Sequence, residues 1–379
     1  MTERMRLVIG CMTGTSIDAI DAAAVEIAGE GLGLRARMLG AVSRPLGVVS
    51  GGLRALADQT PMAAGEIAAI TRDFAAVHIG AIRDLLAEAG DVRFARPGPD
   101  LIAVHGQTVY HAPPLSWQLL NAAPIARAFG AAVVFDLRAA DLAAGGQGAP
   151  ITPLADWVLF RQPGAPVAVV NLGGFCNVTL LPVSSMPDAG PEDRAREIGG
   201  ISGFDLCACN QLLDAVARQT LGIPFDPEGR HASVGHVDTA RGAELERLLT
   251  QQRRQGRSLG TGDELAGWVE RSARGTSPEN LLHTAATTLG SVIADAAPRN
   301  GSMLLAGGGT RNAFLVEIIR RKSPIPVFTT DQSGIPAEHR EAVAMAVLGA
   351  LCQDRVPITL PRVTGVSSPA PVSGVWVLP

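Results

Sequence analysis

Apolar and polar positions alternate along the chain in blocks that predict a strand-rich opening. Leu7, Val8 and Ile9 form a short apolar run, Thr13-Gly14-Thr15-Ser16 a tight polar turn, and Ile17, Ile20, Ala22–Val25 and Ile27 a second run. Residues 33–43 continue as a third strand. Residues 62–90 read as a helix, with Ile67, Ile70, Phe74, Ile82, Leu85 and Leu86 at three- and four-residue steps and Gly90 as its stop. Strands are expected at 101–104, 116–120 and 131–135. Short helices are expected from Pro124, and from Pro150 to Phe160. A second block repeats the opening plan. Val167–Asn171 is an apolar strand, Gly173-Gly174 a turn, and Phe175–Leu181 the return.

Further on, 182–196 reads as an exposed loop and 201–204 as a strand ending at Asp205, ahead of a helix near Cys209. Residues 225–236 read as a polar loop, and helices are expected at 263–274 and from Ser277-Pro278-Glu279 to about Ala297. Strand 303–306 precedes the glycine run Gly307-Gly308-Gly309, which opens another helix. Strand 327–330 and helix 337–352 follow, then a proline-rich extended tail. Strands alternating with helices predict an α/β protein of two domains. We place them at residues 1–164, with the tail 353–379 packing back on that domain, and at 165–352.

Composition narrows the class. A chain of 379 residues with 47% hydrophobic and 18% charged residues can bury large cores. A net charge of −4 offers no basic footprint for nucleic acid or an anionic membrane. No apolar run reaches membrane-spanning length, and no signal-peptide pattern precedes the first strand, so a cytoplasmic protein is expected. The five scattered cysteines, Cys11, Cys176, Cys207, Cys209 and Cys352, fit buried thiols rather than a disulfide framework or a zinc site.

The candidate chemistry sits at the turns. Gly14 permits close backbone approach, the neighbouring N–H and hydroxyl groups can donate to phosphate, and an Asp can hold a cation. An ordinary hairpin with a polar tip also fits that stretch taken alone. His105-Gly106-Gln107-Thr108 lies at a strand end, where ligands gather in α/β sheets, although a structural histidine fits His105 equally. The loop Gly145-Gly-Gln-Gly-Ala-Pro150 lacks serine and charge, which favours a packed loop over a linker. The 307–309 glycines could seat a nucleotide phosphate. Asp205, at a strand-to-helix junction, could simply be a helix cap.

Taken together these stretches resemble the anhydro-N-acetylmuramic acid kinase family. The matching pieces are Gly14-Thr-Ser-Ile-Asp-Ala-Ile-Asp21, His105-Gly-Gln-Thr108, Gly145-Gly-Gln-Gly-Ala-Pro150, Val170-Asn-Leu-Gly-Gly174 with Asn177, Gly203-Phe-Asp205, Gly307-Gly-Gly-Thr-Arg-Asn312, Glu341-Ala342 and Pro361 to Gly365. They follow the family's order across nearly the whole chain. The resemblance implies a two-domain actin-like ATPase fold, ribonuclease H-like, with a central cleft.

It also implies a reaction in cell-wall recycling and amino-sugar catabolism. Water opens the 1,6-anhydro ring of anhydro-N-acetylmuramate while O6 takes the γ-phosphate of ATP, giving N-acetylmuramate 6-phosphate. ATP and Mg2+ are the implied cofactors, the sugar and ATP the implied partners, and a homodimer the implied assembly. The implied roles are Asp205 as catalytic base; Gly14, Thr15, Ser16, Ile17, Asp18, Ala19, Ile20, Asp21, Gly173, Gly174, Asn177, Gly307, Gly308 and Gly309 at ATP; and His105, Gln107, Thr108, Arg138 and Glu341 at the sugar. Asp18 would stand near Mg2+ through water. The chain departs from the family pattern at Ala19, Leu120 and Leu137. The largest departure is Leu206-Cys-Ala-Cys-Asn210, where the family has Thr-Gly-Pro-Gly-Asn. The alternative reading is a divergent relative of the same fold acting on another sugar, or one with weakened catalysis.

Overall fold

Two antiparallel hairpins, each closed by a glycine turn, found two separate sheets. In the computed structural model the described residues are 4–93, 98–185, 190–255, 259, 263 and 265–379. In chain order the elements begin with β1 (Met5–Met12), β2 (Ala19–Ala28), β3 (Arg35–Pro45), α1 (Val49–Ala57), α2 (Ala64–Arg93), β4 (Leu101–Val104), β5 (Gln107–Ala112) and β6 (Leu115–Leu119). Next come α3 (Ala123–Phe129), β7 (Ala132–Phe135), α4 (Ala139–Ala143), α5 (Pro153–Phe160), β8 (Val167–Leu172), β9 (Phe175–Leu181) and α6 (Pro191–Gly200). After them run β10 (Ser202–Ala208), α7 (Asn210–Leu221), α8 (Arg230–Val234), α9 (Thr239–Gln255), α10 (Ala266–Ser272), α11 (Pro278–Ala294) and β11 (Ser302–Ala306). The chain closes with α12 (Ala313–Lys322), β12 (Val327–Thr329), α13 (Arg340–Gln353), α14 (Pro361–Thr364) and β13 (Val375–Val377).

The chain divides into two compact units: residues 1–160 with 187–201 and 339–379, and residues 161–186 with 202–338. The first unit's sheet has the order β13-β7-β4-β1-β2-β3, and the second unit's has β10-β9-β8-β11-β12. Counted within each unit, both follow the ribonuclease H-like order 3-2-1-4-5, with β13 added at one edge of the first. In each, the first three strands form an antiparallel meander, and the fourth and fifth add in parallel beside the first. The repeated strand–turn–strand plan is therefore a repeated topology.

The first unit's central strands are apolar on both faces, as a covered parallel core requires. Helix α2 packs on β2 and β3, presenting buried Phe74, Ile82 and Leu85. Helix α13 packs on β1, β2 and β4 and is buried around its whole circumference, which explains its even Ala, Val and Leu composition. Gly10 permits that approach, since a Cβ there would run into the Ala342 carbonyl and lie 2.6 Å from Ala346 N. The second unit's core joins β8, β9, β10 and β11 to α7, α9, α11 and α12.

Several expected boundaries move. Gly90 does not stop α2, which runs on to Arg93. Helix α5 starts at Pro153, not Pro150. The 182–196 stretch holds the start of α6, whose Pro191 and first-turn Glu192 and Asp193 suit a helix N-terminus, while 186–189 lie outside the described residues. The 225–236 stretch contains α8, and the 263–274 helix is confined to Ala266–Ser272. The 307–312 stretch forms a short 3₁₀ turn at Gly308–Arg311. Helix α12 begins after it, capped by Asn312, whose side chain accepts from Leu315 N. Helix α13, expected in the second domain, groups with the first unit because its Ala-rich surface covers β1. The tail is not merely extended: it forms α14, and β13 pairs with β7.

Candidate functional site

In the first unit, residues 13–18 join β1 to β2. Ile17 has a positive φ of 50°, and its N–H donates to Gly14 O at 3.3 Å. Arg54 of α1 donates to the carbonyls of Ser16 and Ile17 at 3.0 Å each, bracing the turn from below. Asp18 accepts from Ser16 Oγ at 2.6 Å and from Ala19 N at 2.9 Å through one oxygen. Gly14, Thr15, Ser16 and Asp18 reach the surface, whereas Ile17 and Ile20 are buried as anchors. Ala19 and Asp21 are β2 residues, and Asp21 accepts from Ser43 Oγ. Thr13 is buried and its hydroxyl has no hydrogen-bond partner among the described residues. A buried orphan hydroxyl at such a turn is what a ligand oxygen or water would satisfy.

The sugar-side candidates cluster in the same unit. His105 follows β4, and its Nδ1 lies 2.8 Å from Gly106 O. A carbonyl only accepts, so Nδ1 carries the proton. Its Nε2 accepts from Arg138 Nε at 3.2 Å and Nη2 at 2.9 Å. Burial, and then the Arg138 cation, push the imidazole down to about 3, so His105 is neutral. His105 therefore holds its ring in place through Nδ1 and aims Arg138 through Nε2. Gln107 is buried, its Nε2 donates to Thr108 O, and its Oε1 has no partner among the described residues. Thr108 donates to Gln118 Oε1 at 2.7 Å.

Glu341 opens α13. It is half-buried, and burial raises its carboxyl against the lowering pull of Arg340 and Arg138, with Asp21 and Asp156 adding to the rise. Its neighbour Arg340 is fully buried. It forms a bidentate pair with Asp156, with Nε at 2.8 Å from Oδ1, and donates to Thr152 Oγ1 at 3.1 Å. That pair fixes the first turn of α13 to α5.

In the second unit the Gly173-Gly174 turn is stitched to the start of α7. Cys209 N and Gln211 N donate to Gly174 O, and Asn210 N donates to Gly173 O, at 2.9 to 3.1 Å. Gly307 and Gly309 pack against the end of β8. A Cβ on Gly307 would lie 2.7 Å from Asn171 Oδ1, and one on Gly309 would lie 2.7 Å from Leu172 Cβ. Gly308 alone is open, with nothing within 4 Å of such an atom. Asn171 Oδ1 is buried without a partner among the described residues. Asn171 and Asn177 are cross-strand neighbours, and Asn177 also pairs with Asp205.

Asp205 does not end a strand. It lies within β10, at the register shift before Cys207, and the residue capping α7 is Cys209. The helix-cap alternative is thereby removed. One Asp205 oxygen accepts from Leu259 N at 2.8 Å. The departure Leu206-Cys-Ala-Cys209 is wholly buried, so its side chains join the core rather than face a ligand. Burial raises the Cys207 and Cys176 thiols well above their ordinary range, and Cys209 to about 12, as inert core groups require.

The sequence placed Thr13 in the first turn and Asn171 in a strand without a site role, and it did not point to Asp141, Asp156 or Arg340. Asp156 and Arg340 pair with each other across 184 residues, and Asp141 meets Thr364 across 223.

A family model described as anhydro-N-acetylmuramic acid kinase matches residues 6–377. The chain belongs to the anhydro-N-acetylmuramic acid kinase family. It is 36% identical to the anhydro-N-acetylmuramic acid kinase of Streptomyces coelicolor, over 94% of this chain and 90% of that one. It is 32% identical to the Salinibacter ruber enzyme (98% and 96%) and 35% identical to that of Chromohalobacter salexigens (98% and 100%). Among solved structures, the activator of the 2-hydroxyisocaproyl-CoA dehydratase from Clostridium difficile aligns over 91% of this chain and 94% of its own, at 10% identity and a TM-score of 0.45. Among the described residues no helix is long and apolar enough to cross a membrane, and no group of three acids, histidines or cysteines could hold a metal alone.

Proposed function

We propose that this chain is an ATP-dependent kinase that opens the 1,6-anhydro ring of anhydro-N-acetylmuramate and phosphorylates O6, giving N-acetylmuramate 6-phosphate. The observation that carries the reading is the family match over residues 6–377, which includes both glycine turns and Asp205. Asp205 takes a proton from water as the water oxygen bonds to C1 and the C1–O6 bond breaks. O6 then attacks the γ-phosphorus of ATP and ADP leaves, so no second acid is needed for the leaving oxygen. Asp205 suits a base because its carboxylate is not committed to a helix end.

The turn 14–18 holds phosphate oxygens through backbone N–H and hydroxyl groups, and Gly173, Gly174 and Gly308 line the nucleotide. Mg2+ keeps several waters and takes one or two carboxylates plus substrate phosphates. The single exposed carboxylate of Asp18, oriented by Ser16, fits that donor set. Arg138, aimed by His105, pairs with the lactyl carboxylate. Gln107, Thr108 and Glu341 line the sugar. The family resemblance also carries a cytoplasmic homodimer working in peptidoglycan recycling.

A coupled ADP-release assay with anhydro-N-acetylmuramate against a panel of plain sugars tests the assignment. ADP release with the anhydro sugar alone is expected. Turnover of another sugar in preference to it overturns the substrate, and turnover of none overturns the catalytic reading.

A further inference from the structure

The C-terminal stretch Pro361–Gly365 has no role in the reaction as derived so far, yet it is built into the first unit's polar interior. Thr364 is 1% exposed and Asp141 is 0% exposed. Thr364 Oγ1 donates to Asp141 Oδ1 at 2.7 Å, across 223 residues of sequence. The Thr364 carbonyl accepts from Gln147 N at 2.8 Å. The other Asp141 oxygen accepts from Gly148 N at 2.7 Å. The carbonyl of that same glycine accepts from Arg138 Nη1 at 2.7 Å. Gly148 is therefore held at both ends, by Asp141 on its N–H and by Arg138 on its oxygen. Gly148 has a φ of +68° and Gly146 lies against the Asp141 carboxylate, where a Cβ would crowd it. The Gly145–Gly148 loop is thus folded around Asp141, and the tail closes it.

We propose that the Pro361–Gly365 turn is a clamp, with Thr364 acting through Asp141 and Gly148 as a positioning residue for Arg138 in sugar binding. This rests on the reading of Arg138 as the sugar-side cation. Arg138 is gripped from two sides: His105 takes its Nε and Nη2, and Gly148 takes its Nη1. A long cation just ahead of a short helix has many rotamers, and each fixed donor removes some of them before substrate arrives. If the Thr364 hydroxyl is lost, Asp141 stays buried with one donor fewer. The loop then shifts to re-satisfy it, and Gly148 O moves with the loop.

The test compares Thr364→Val, which keeps the shape and removes the donor, with Thr364→Ser, which restores it. KM for the anhydro sugar, KM for ATP and kcat are measured on the full chain, alongside the melting temperature. Thr364→Val should raise the sugar KM roughly three- to tenfold, the size of one buried hydrogen bond, and leave the ATP KM unchanged. Thr364→Ser should return it to wild type. A lowered melting temperature with both KM values unchanged overturns the clamp and leaves Thr364 a stabilising residue only. If Thr364→Val does not fold, Thr364→Cys, a weaker donor of similar volume, should shift the sugar KM in the same direction; an unchanged value overturns the proposal. Arg138→Met separates the two readings. A raised sugar KM in Arg138→Met with none in Thr364→Val sinks the clamp alone. An unchanged sugar KM in Arg138→Met sinks the role of Arg138, and the clamp with it.

Discussion

Gly10 of β1 and Ala342 of α13 meet backbone to backbone: the space a Cβ would need at Gly10 is occupied by the Ala342 carbonyl. Backbone cannot rotate away as a side chain can, so the added methyl must push the helix off the sheet. We expect Gly10→Ala to cost about 3 kcal/mol or more, the upper end for overpacked cores. Denaturant unfolding of the variant checks this. A loss within about 0.5 kcal/mol would mean that α13 does not pack on β1 as described.

Asp205→Asn separates chemistry from architecture. The amide keeps the shape and can still accept from Leu259 N, so the fold and both ligand affinities should survive. It cannot take a proton from water, and loss of a positioned base costs about 10²–10⁴-fold in rate. Turnover near wild type would move the base elsewhere, and Glu341 would be examined first.

The three glycines at 307–309 should behave differently from one another. Gly308 is exposed with open space around it, so Gly308→Phe should leave the melting temperature unchanged and weaken ATP binding by crowding the phosphate side. Gly307 has a φ of +84° and abuts Asn171, so Gly307→Ala should cost about 2 kcal/mol or more in stability. Calorimetric titration with ATP and a melting curve for each variant read both effects. Wild-type ATP affinity in a folded Gly308→Phe would remove the glycine turn from the nucleotide site.

Acid should destabilise the first unit through two imidazoles buried neutral. Burial lowers His78 to about 4, and burial with Arg138 lowers His105 to about 3, whereas the unfolded groups titrate near the ordinary 6.5. Their folded values are depressed, so the unfolded chain binds the extra protons. Stability is full above pH 6.5 and falls as pH drops toward 4, by roughly 1.4 kcal/mol per pH unit for each group. His78→Gln, which does not titrate, should flatten the fall in melting temperature over that window. An unchanged slope would show that His78 does not contribute.

Where chemistry and punctuation coincide, the chain is legible from its residues. The apolar runs flanking Gly14 and Gly173-Gly174 show both hairpins, and Ser277-Pro278-Glu279 shows the start of α11, whose cap accepts from Asn280 N. Polar composition misleads where it hides a helix: the 182–196 stretch looks like a loop, yet α6 starts within it. Helix α9 escapes notice because few apolar residues, Leu245 and Leu249 among them, anchor a charged sequence. Asp205 reads as a strand end because an acid interrupts an apolar run, but β10 carries it through a register shift. His105 shows as a polar residue at a strand end, while its duty toward Arg138 needs the fold. The Thr364–Asp141 contact and the Arg340–Asp156 pair join residues about two hundred positions apart, beyond the reach of any local pattern.

The placement of α13 bears on how the chain is made. Strands β1, β2 and β4 leave the ribosome early, but the helix that covers them begins 236 residues after the end of β4. At typical synthesis speeds that interval is on the order of ten to fifty seconds. During it the sheet face around Gly10 and Ala103 has no native cover. The 202–338 stretch of the second unit is complete before α13 appears. The unit begun first is therefore finished last, and a nascent chain interrupted before residue 340 would carry a bare hydrophobic sheet that holdase chaperones bind.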